Sequence, residues 1–293
     1  MTDRVKGSAL ILLSALMFGS YGVWSKLIGT SFGPFFQGWT RALIILLALL
    51  PFLYYKKLLV PIQRADRRWL VVFLVFTSLT QAPLFYAFTH MDIGTATLLF
   101  YVGMLLTMYA IGLFSLGEKF SKIKWISVVL ALSGLYITFS FSLTAFTFLA
   151  ASMAVLNGIA SGGEVGFSKK LTGSYSPVYV TFLSWLIILP TNLLLSIILK
   201  ENQVAFTLDS HWLAQIGYST VSLIGFWAAI AGFKYAEATV GSLLGLLEIV
   251  FSIMLGILIF HEILTGRVIV GAILIICAAA LPHLHELIVK RIN

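Results

Sequence analysis

Two carboxylates and two cations stand inside, or at the edge of, long apolar runs: Glu164, Glu248, Lys26 and Arg41. If those runs cross a bilayer, each charge costs about 2.5–3.5 kcal/mol on insertion scales and needs a reason to be there. Glu248 is the deepest. Gly241, Gly245, Glu248 and Ser252 recur at helical spacing and make one small, polar face. Such a face suits a cavity or a tight helix contact. Glu248 would bind a cationic group or a proton there, or else accept hydrogen bonds from a neighbouring helix and hold structure. Glu164 follows Gly158 and Gly162, with Gly166 beyond. The glycines suit close helix packing. Glu164 itself would couple to a bound solute or a proton, or would be a paired charge near the surface. Lys26 and Arg41 lie at the ends of two successive runs. Together they would attract an anionic group such as a carboxylate, or they would snorkel to headgroups or pair with an acid.

Aromatic and amide side chains supply a second set. The third run offers Thr77, Gln81 and Phe88, with Tyr86 nearby and Pro83 as a kink. The fourth offers Thr97, Tyr101 and Met108, and the eighth Tyr218, Ser222 and Trp227. Tyr21 and Asn157 join from the first and sixth. Tyrosine, tryptophan and glutamine can hold a mostly apolar solute while fixing its polar end. Taken singly, each aromatic serves equally as packing or as part of an interface belt. Tyr101 and Gln81 are the favoured pair, because both lie well inside their runs.

Other chemistries fail on spacing. His261-Glu262 lacks the second histidine of a zinc-protease helix, since Thr265 stands four positions after His261. His283, His285 and Glu286 sit at the end of a run with too little company for a metal site. There is no Gly-rich phosphate loop and no acid pair of an intramembrane protease. No cofactor is expected.

The elements that carry these residues follow from composition. Of 293 residues, 60% are hydrophobic and 10% charged, against roughly 25% charged in a soluble domain. Lipid is the solvent that tolerates such a surface. The net charge of +8 does not point to nucleic acid, because the basic residues fall in short clusters between apolar runs. One cysteine, Cys277, leaves the redox compartment unreadable. The charged start and the first run resemble a signal peptide, but the run is too long for one and more follow. Ten segments reach the roughly 20 residues a span needs: 7–28, 34–54, 69–89, 93–116, 122–140, 146–168, 176–199, 211–233, 238–260 and 264–287. Lipid leaves unpaired backbone without partners, so an all-α chain is required.

Charge then orients the spans. With the N-terminus inside, the inner segments hold Arg4, Lys6, Lys56, Lys57, Arg64, Arg67, Arg68, Lys119, Lys122, Lys124, Lys169, Lys170, Lys234, Lys290 and Arg291. The outer segments hold Lys200 and Arg267. Both termini are expected in the cytoplasm.

A shift of 144 residues superposes the two halves almost without gaps. Gly19 falls on Gly163, Lys26 on Lys170, Gly112 on Gly256 and Glu118 on Glu262. Glu164 falls on Ser20 and breaks the symmetry. Each half, 1–144 and 145–293, holds five spans. Five is odd, so the second half enters the membrane upside down, and an inverted repeat places a site near the midplane between the halves.

The residues now carry a resemblance. FGSYGVWSK (Phe18 to Lys26), Arg41 in WTRALIILLALL, LFSLGEKFSKIKWISVVLALSGLYI and LLEIVFSIMLGILIFHEILTGRVIVGAILI together resemble the drug/metabolite transporter superfamily, specifically its ten-helix EamA type. The likeness covers nearly the whole chain. One departure is that Ile249 stands where the family usually has proline after the glutamate, and the first repeat has no proline near Met104. A helix break at either place therefore loses its usual sequence support. The resemblance implies a secondary carrier in a bacterial inner membrane that moves a small metabolite, an amino acid or a related compound, by export and alternating access. It implies a cavity lined by the first, third, fourth, sixth, eighth and ninth helices. Its partners would be the substrate and the bilayer, with proton coupling through Glu164 or Glu248, as a monomer or homodimer. An importer or exchanger of a different solute fits the same residues. An intramembrane enzyme would need a cluster of nucleophile, base or ligands at one depth, and none is seen. A non-transporting scaffold would have no use for polar residues at the midplane of a symmetric repeat.

Overall fold

The computed structural model describes residues 3–119, 121–139 and 148–292, with side chains of the last helix described as far as His285. Ten helices are long and apolar enough to span a bilayer: α1 (Val5–Ile28), α2 (Pro34–Tyr55), α3 (Arg64–His90), α4 (Ile93–Ser115), α5 (Lys122–Phe139), α6 (Phe148–Leu171), α7 (Pro177–Ile198), α8 (Ser210–Tyr235), α9 (Ala238–Phe260) and α10 (Gly266–His285). The chain is a multi-pass membrane protein. The expected turn between α5 and α6 lies outside the described residues. α3 starts earlier than the sequence suggests because a short 3-10 turn, Arg64–Asp66, leads into it. The first and last described helices bring their outer ends to one face, where the Ser8 hydroxyl meets His283 Nε2 at 3.0 Å. We call this the terminal face and the opposite one the far face.

The repeat is visible in the packing. α1 packs on α8 and α9, and its counterpart α6 packs on α3 and α4. α2 packs on α7, and α5 on α10, each helix against its own equivalent. The most extensive contacts therefore run between the halves, which interlock. Small residues allow this. A Cβ on Gly103 would come within 2.8 Å of the Val155 carbonyl oxygen, and one on Gly162 within 2.9 Å of the Met104 carbonyl oxygen. α4 and α6 thus touch backbone to backbone, as glycine faces permit in lipid.

Three of the spans are broken. α1 divides at Ser20, α3 between Ser78 and Ala82, and α9 at Leu246. In α3 the cause is Pro83, which lacks the N–H that would take the Leu79 carbonyl four residues back. Asn157 Nδ2 from α6 donates to that carbonyl at 3.3 Å instead. Thr80 Oγ1 closes on the Thr77 carbonyl at 2.8 Å, and Ser20 Oγ closes on Met17 at 2.6 Å. Free carbonyls at membrane depth need such partners. The break in α9 forms without the proline, directly after Gly245, so the missing proline does not keep this helix straight. α1 and α9 meet at their breaks: a Cβ on Gly19 would lie 2.8 Å from the Glu248 carbonyl oxygen.

Candidate binding site

The break in α9 puts Glu248 in the first turn of the segment Leu247–Phe260. Its carboxyl accepts a hydrogen bond of 2.5 Å from the Tyr101 hydroxyl of α4. Each is a candidate from the sequence, but their direct contact is not an expectation the sequence carries. A cavity of about 390 Å³ opens beside them, lined by Thr97, Tyr101, Ser252 and Glu262 among others.

Arg41 sits on the other side of α1. It is only 7% exposed. Its guanidinium lies 4.2 Å from the Tyr218 ring centre and 5.9 Å from those of Tyr21 and Trp185. No carboxylate among the described residues pairs with it, and its Nε has no hydrogen-bond partner. The Tyr21 and Tyr218 rings meet edge to face at 4.7 Å. Tyr21 stands within electrostatic reach of both Arg41 and Glu248.

Unsatisfied polar atoms gather in the same region. Gln81 Oε1 and Asn192 Oδ1 are buried without partners. A Cβ on Gly38 would lie 2.5 Å from Asn192 Oδ1 and 2.7 Å from Gln81 Oε1, so these two amides converge on α2 one turn before Arg41. Buried polar atoms normally have partners, and a bound solute with polar groups supplies them. Sequence reasoning missed Asn192, Trp185 and Gln215, the last of which donates from Nε2 to the Gln37 carbonyl and to Thr40 Oγ1 of α2, both at 2.8 Å. A polar amide within an apolar span was the available signal for Asn192 and Gln215.

Other expected residues fall elsewhere. Lys26 does not join Arg41. It is half exposed and pairs with Glu262 at 2.5 Å, over the Phe260 ring. Arg41 does not snorkel; it points into the bundle. Glu164 is buried and accepts from the Ser184 hydroxyl of α7, with Thr77 of α3 beside it. It stands among packed helices, apart from the Glu248 group. Asn157 supports the α3 break. Tyr86 stacks on His90 at 4.1 Å near the far face. Trp227 makes no ring contact with the cluster. Among the described residues no group of His, Cys, Asp or Glu could hold a metal.

Broken helices packed between two inverted repeats are a recurrent architecture of membrane carriers. Comparison with known proteins agrees. The profile of the EamA-like transporter family matches residues 5–140 and 148–282, one match to each repeat. The chain belongs to the EamA-like transporter family. It is 28% identical, over 92% of its length and 93% of the relative's, to an uncharacterized transporter of Archaeoglobus fulgidus. It is 24% identical to the pseudopaline exporter CntI of Pseudomonas aeruginosa, over 78% of this chain and 80% of that one. A crystal structure 17% identical in sequence superposes with a TM-score of 0.78 over 99% of both chains, which shows the shared fold.

Proposed function

We propose that this transporter carries a small zwitterionic metabolite of the amino-acid type, by alternating access, between an acidic end at Glu248 and a cationic end at Arg41. The observation that supports this reading is a buried Arg41 that lies against the Tyr21 and Tyr218 rings with no carboxylate partner among the described residues, in a bundle that also holds the Glu248–Tyr101 pair. A ligand with an ammonium at one end and a carboxylate at the other would satisfy both charges. The aromatic walls of Tyr21, Tyr218 and Trp185 suit its apolar part. Similarity to an exporter supports export as the direction. The excess of Lys and Arg on the terminal face supports an inner-membrane protein with both termini in the cytoplasm. Glu248 and Glu164 are the groups for proton coupling. One chain encloses one site, which supports function as a monomer, with a homodimer compatible.

The test is counterflow of amino acids in proteoliposomes with Glu248→Gln and Tyr101→Ala. Both variants should lose uptake. Normal uptake by both would sink the assignment of the site. A simple amine and a simple carboxylate, tried separately, should each compete more weakly than the zwitterion.

A further inference from the structure

Glu118 and Glu262 occupy equivalent places in the two repeats, and their local geometry is the same. The Glu118 N–H donates to the Gly112 carbonyl at 2.8 Å, and the Glu262 N–H to the Gly256 carbonyl at 3.3 Å. Each carboxyl lies against that same glycine: a Cβ would stand 2.8 Å from Glu118 Oε2 on Gly112 and 2.5 Å from Glu262 Oε2 on Gly256. What the two carboxyls hold is different. At the terminal face Glu118 caps the start of α9. It accepts from the Ala238 N–H at 2.5 Å, the Thr239 N–H at 3.0 Å and Thr239 Oγ1 at 2.8 Å. Lys169 stands 3.7 Å away and donates to the Ala236 carbonyl at 2.6 Å, while Lys170 donates to the Ser115 carbonyl at 2.6 Å. The Glu118 side chain is 7% exposed. At the far face Glu262 pairs, among the described residues, with Lys26; its side chain is 53% exposed, and it lines the open cavity.

The 144-residue shift carries Ala238 and Thr239 onto Gly94 and Thr95, at the start of α4. Glu262 makes no hydrogen bond to either in this structure. We propose that Glu118 and Glu262 are the two latches of the transport cycle: Glu118 on the start of α9 closes the terminal face, and Glu262 on the start of α4 closes the far face in the opposite state. The structure is then the state open at the far face. The proposal rests on the alternating-access reading but not on the cargo. An anionic group at a helix start is favourable in both places, through the helix dipole. The two latches are unequal. Lys124 pairs with Glu237 at 2.6 Å beside the first latch, whereas the equivalent positions beside the second are Val268 and Ile93. The terminal face therefore holds more firmly, and the far-open state is the resting one.

The experiment reads access without substrate. Ser252→Cys, in a Cys277→Ser background, places one thiol in the far-face cavity. Labelling by a membrane-impermeant maleimide is followed in oriented proteoliposomes. Glu118→Gln should lower the labelling rate about tenfold, as loss of hydrogen bonds to a charged acceptor releases the terminal face. Glu262→Gln should leave labelling at its maximum and abolish exchange. If Glu118→Gln does not fold, Thr239→Val removes one of the three bonds and should give a smaller fall, about threefold. A Thr95→Cys, Glu262→Cys pair should form a disulfide faster when combined with Thr239→Val. Unchanged labelling in folded Glu118→Gln or Thr239→Val would overturn the proposal, as would a disulfide rate insensitive to Thr239→Val. Counterflow that persists beside such a result would leave the carrier reading intact and remove only the latches.

Discussion

The Tyr101 hydroxyl donates to the Glu248 carboxyl at 2.5 Å, joining α4 of one repeat to α9 of the other. Each of these helices crosses to the opposite half for its main packing. The bond therefore ties together two elements that belong to different packing groups, α1–α8–α9 and α3–α4–α6. A ligand that competes for Glu248 loosens that tie. This is a direct route from binding to rearrangement, because a ligand shifts a conformational equilibrium only through contacts that differ between the states.

Tyr101→Phe tests the tie. A hydrogen bond to a charged group contributes about 1.5–3 kcal/mol. The variant should fold, bind the substrate with altered affinity and lose at least about tenfold in exchange rate. Binding by thermal shift and exchange by counterflow separate the two effects. Equal exchange in wild type and variant contradicts the assignment.

Arg41 should matter through shape as well as charge. A desolvated guanidinium stacked on aromatic rings gains about 2 kcal/mol. Arg41→Lys keeps a cation but gives up the planar stack on Tyr218. Affinity for a zwitterion should fall about 30-fold, while a simple amine should bind as before. Isothermal calorimetry with both ligands shows the difference, and an equal loss for the two would place Arg41 outside the anionic subsite.

Asn157 should act on stability. Asn157→Leu removes the donor to the Leu79 carbonyl that Pro83 leaves free. An orphaned buried carbonyl costs about 1–3 kcal/mol. The apparent melting temperature should drop with substrate affinity preserved in the folded fraction. Combining it with Pro83→Ala, which restores the missing N–H, should recover part of the loss.

Glycines sort by their surroundings. A Cβ on Gly158 would overlap the Phe100 carbonyl oxygen, whereas one on Gly22 would meet nothing within 4 Å. Gly158→Val should prevent assembly of α4 on α6, while Gly22→Ala should be neutral. Expression and monodispersity in detergent report both outcomes.

The ten helices were legible because lipid imposes one length and one composition on every span. The repeat was legible because Gly112, Glu118 and their partners at one offset are read without knowing any contact. Tyr101 and Glu248 were legible as buried polar groups, though not as partners, since residues 147 apart meet only through helix packing. Arg41 shows the limit. Its place near the end of a span fits a snorkelling side chain as well as an inward one, and only the ring of Tyr218 decides. The break in α9 was hidden for another reason: backbone at a cavity can open at Gly245 and Leu246 without proline, where a neighbouring helix crosses.

The interlocking of the halves bears on how the protein is made. α1 has its main partners in α8 and α9, so when the ribosome has delivered the first five helices α1 stands in the bilayer without them. The five then wait as a loose set, and the polar sides of α1 and α4 face lipid or the insertion machinery until the second repeat arrives. On this reading the second repeat enters oriented by its own Lys and Arg, and the two sets of helices complete each other's packing only when they meet. Two separately expressed five-helix chains should therefore find one another in the membrane and rebuild the carrier.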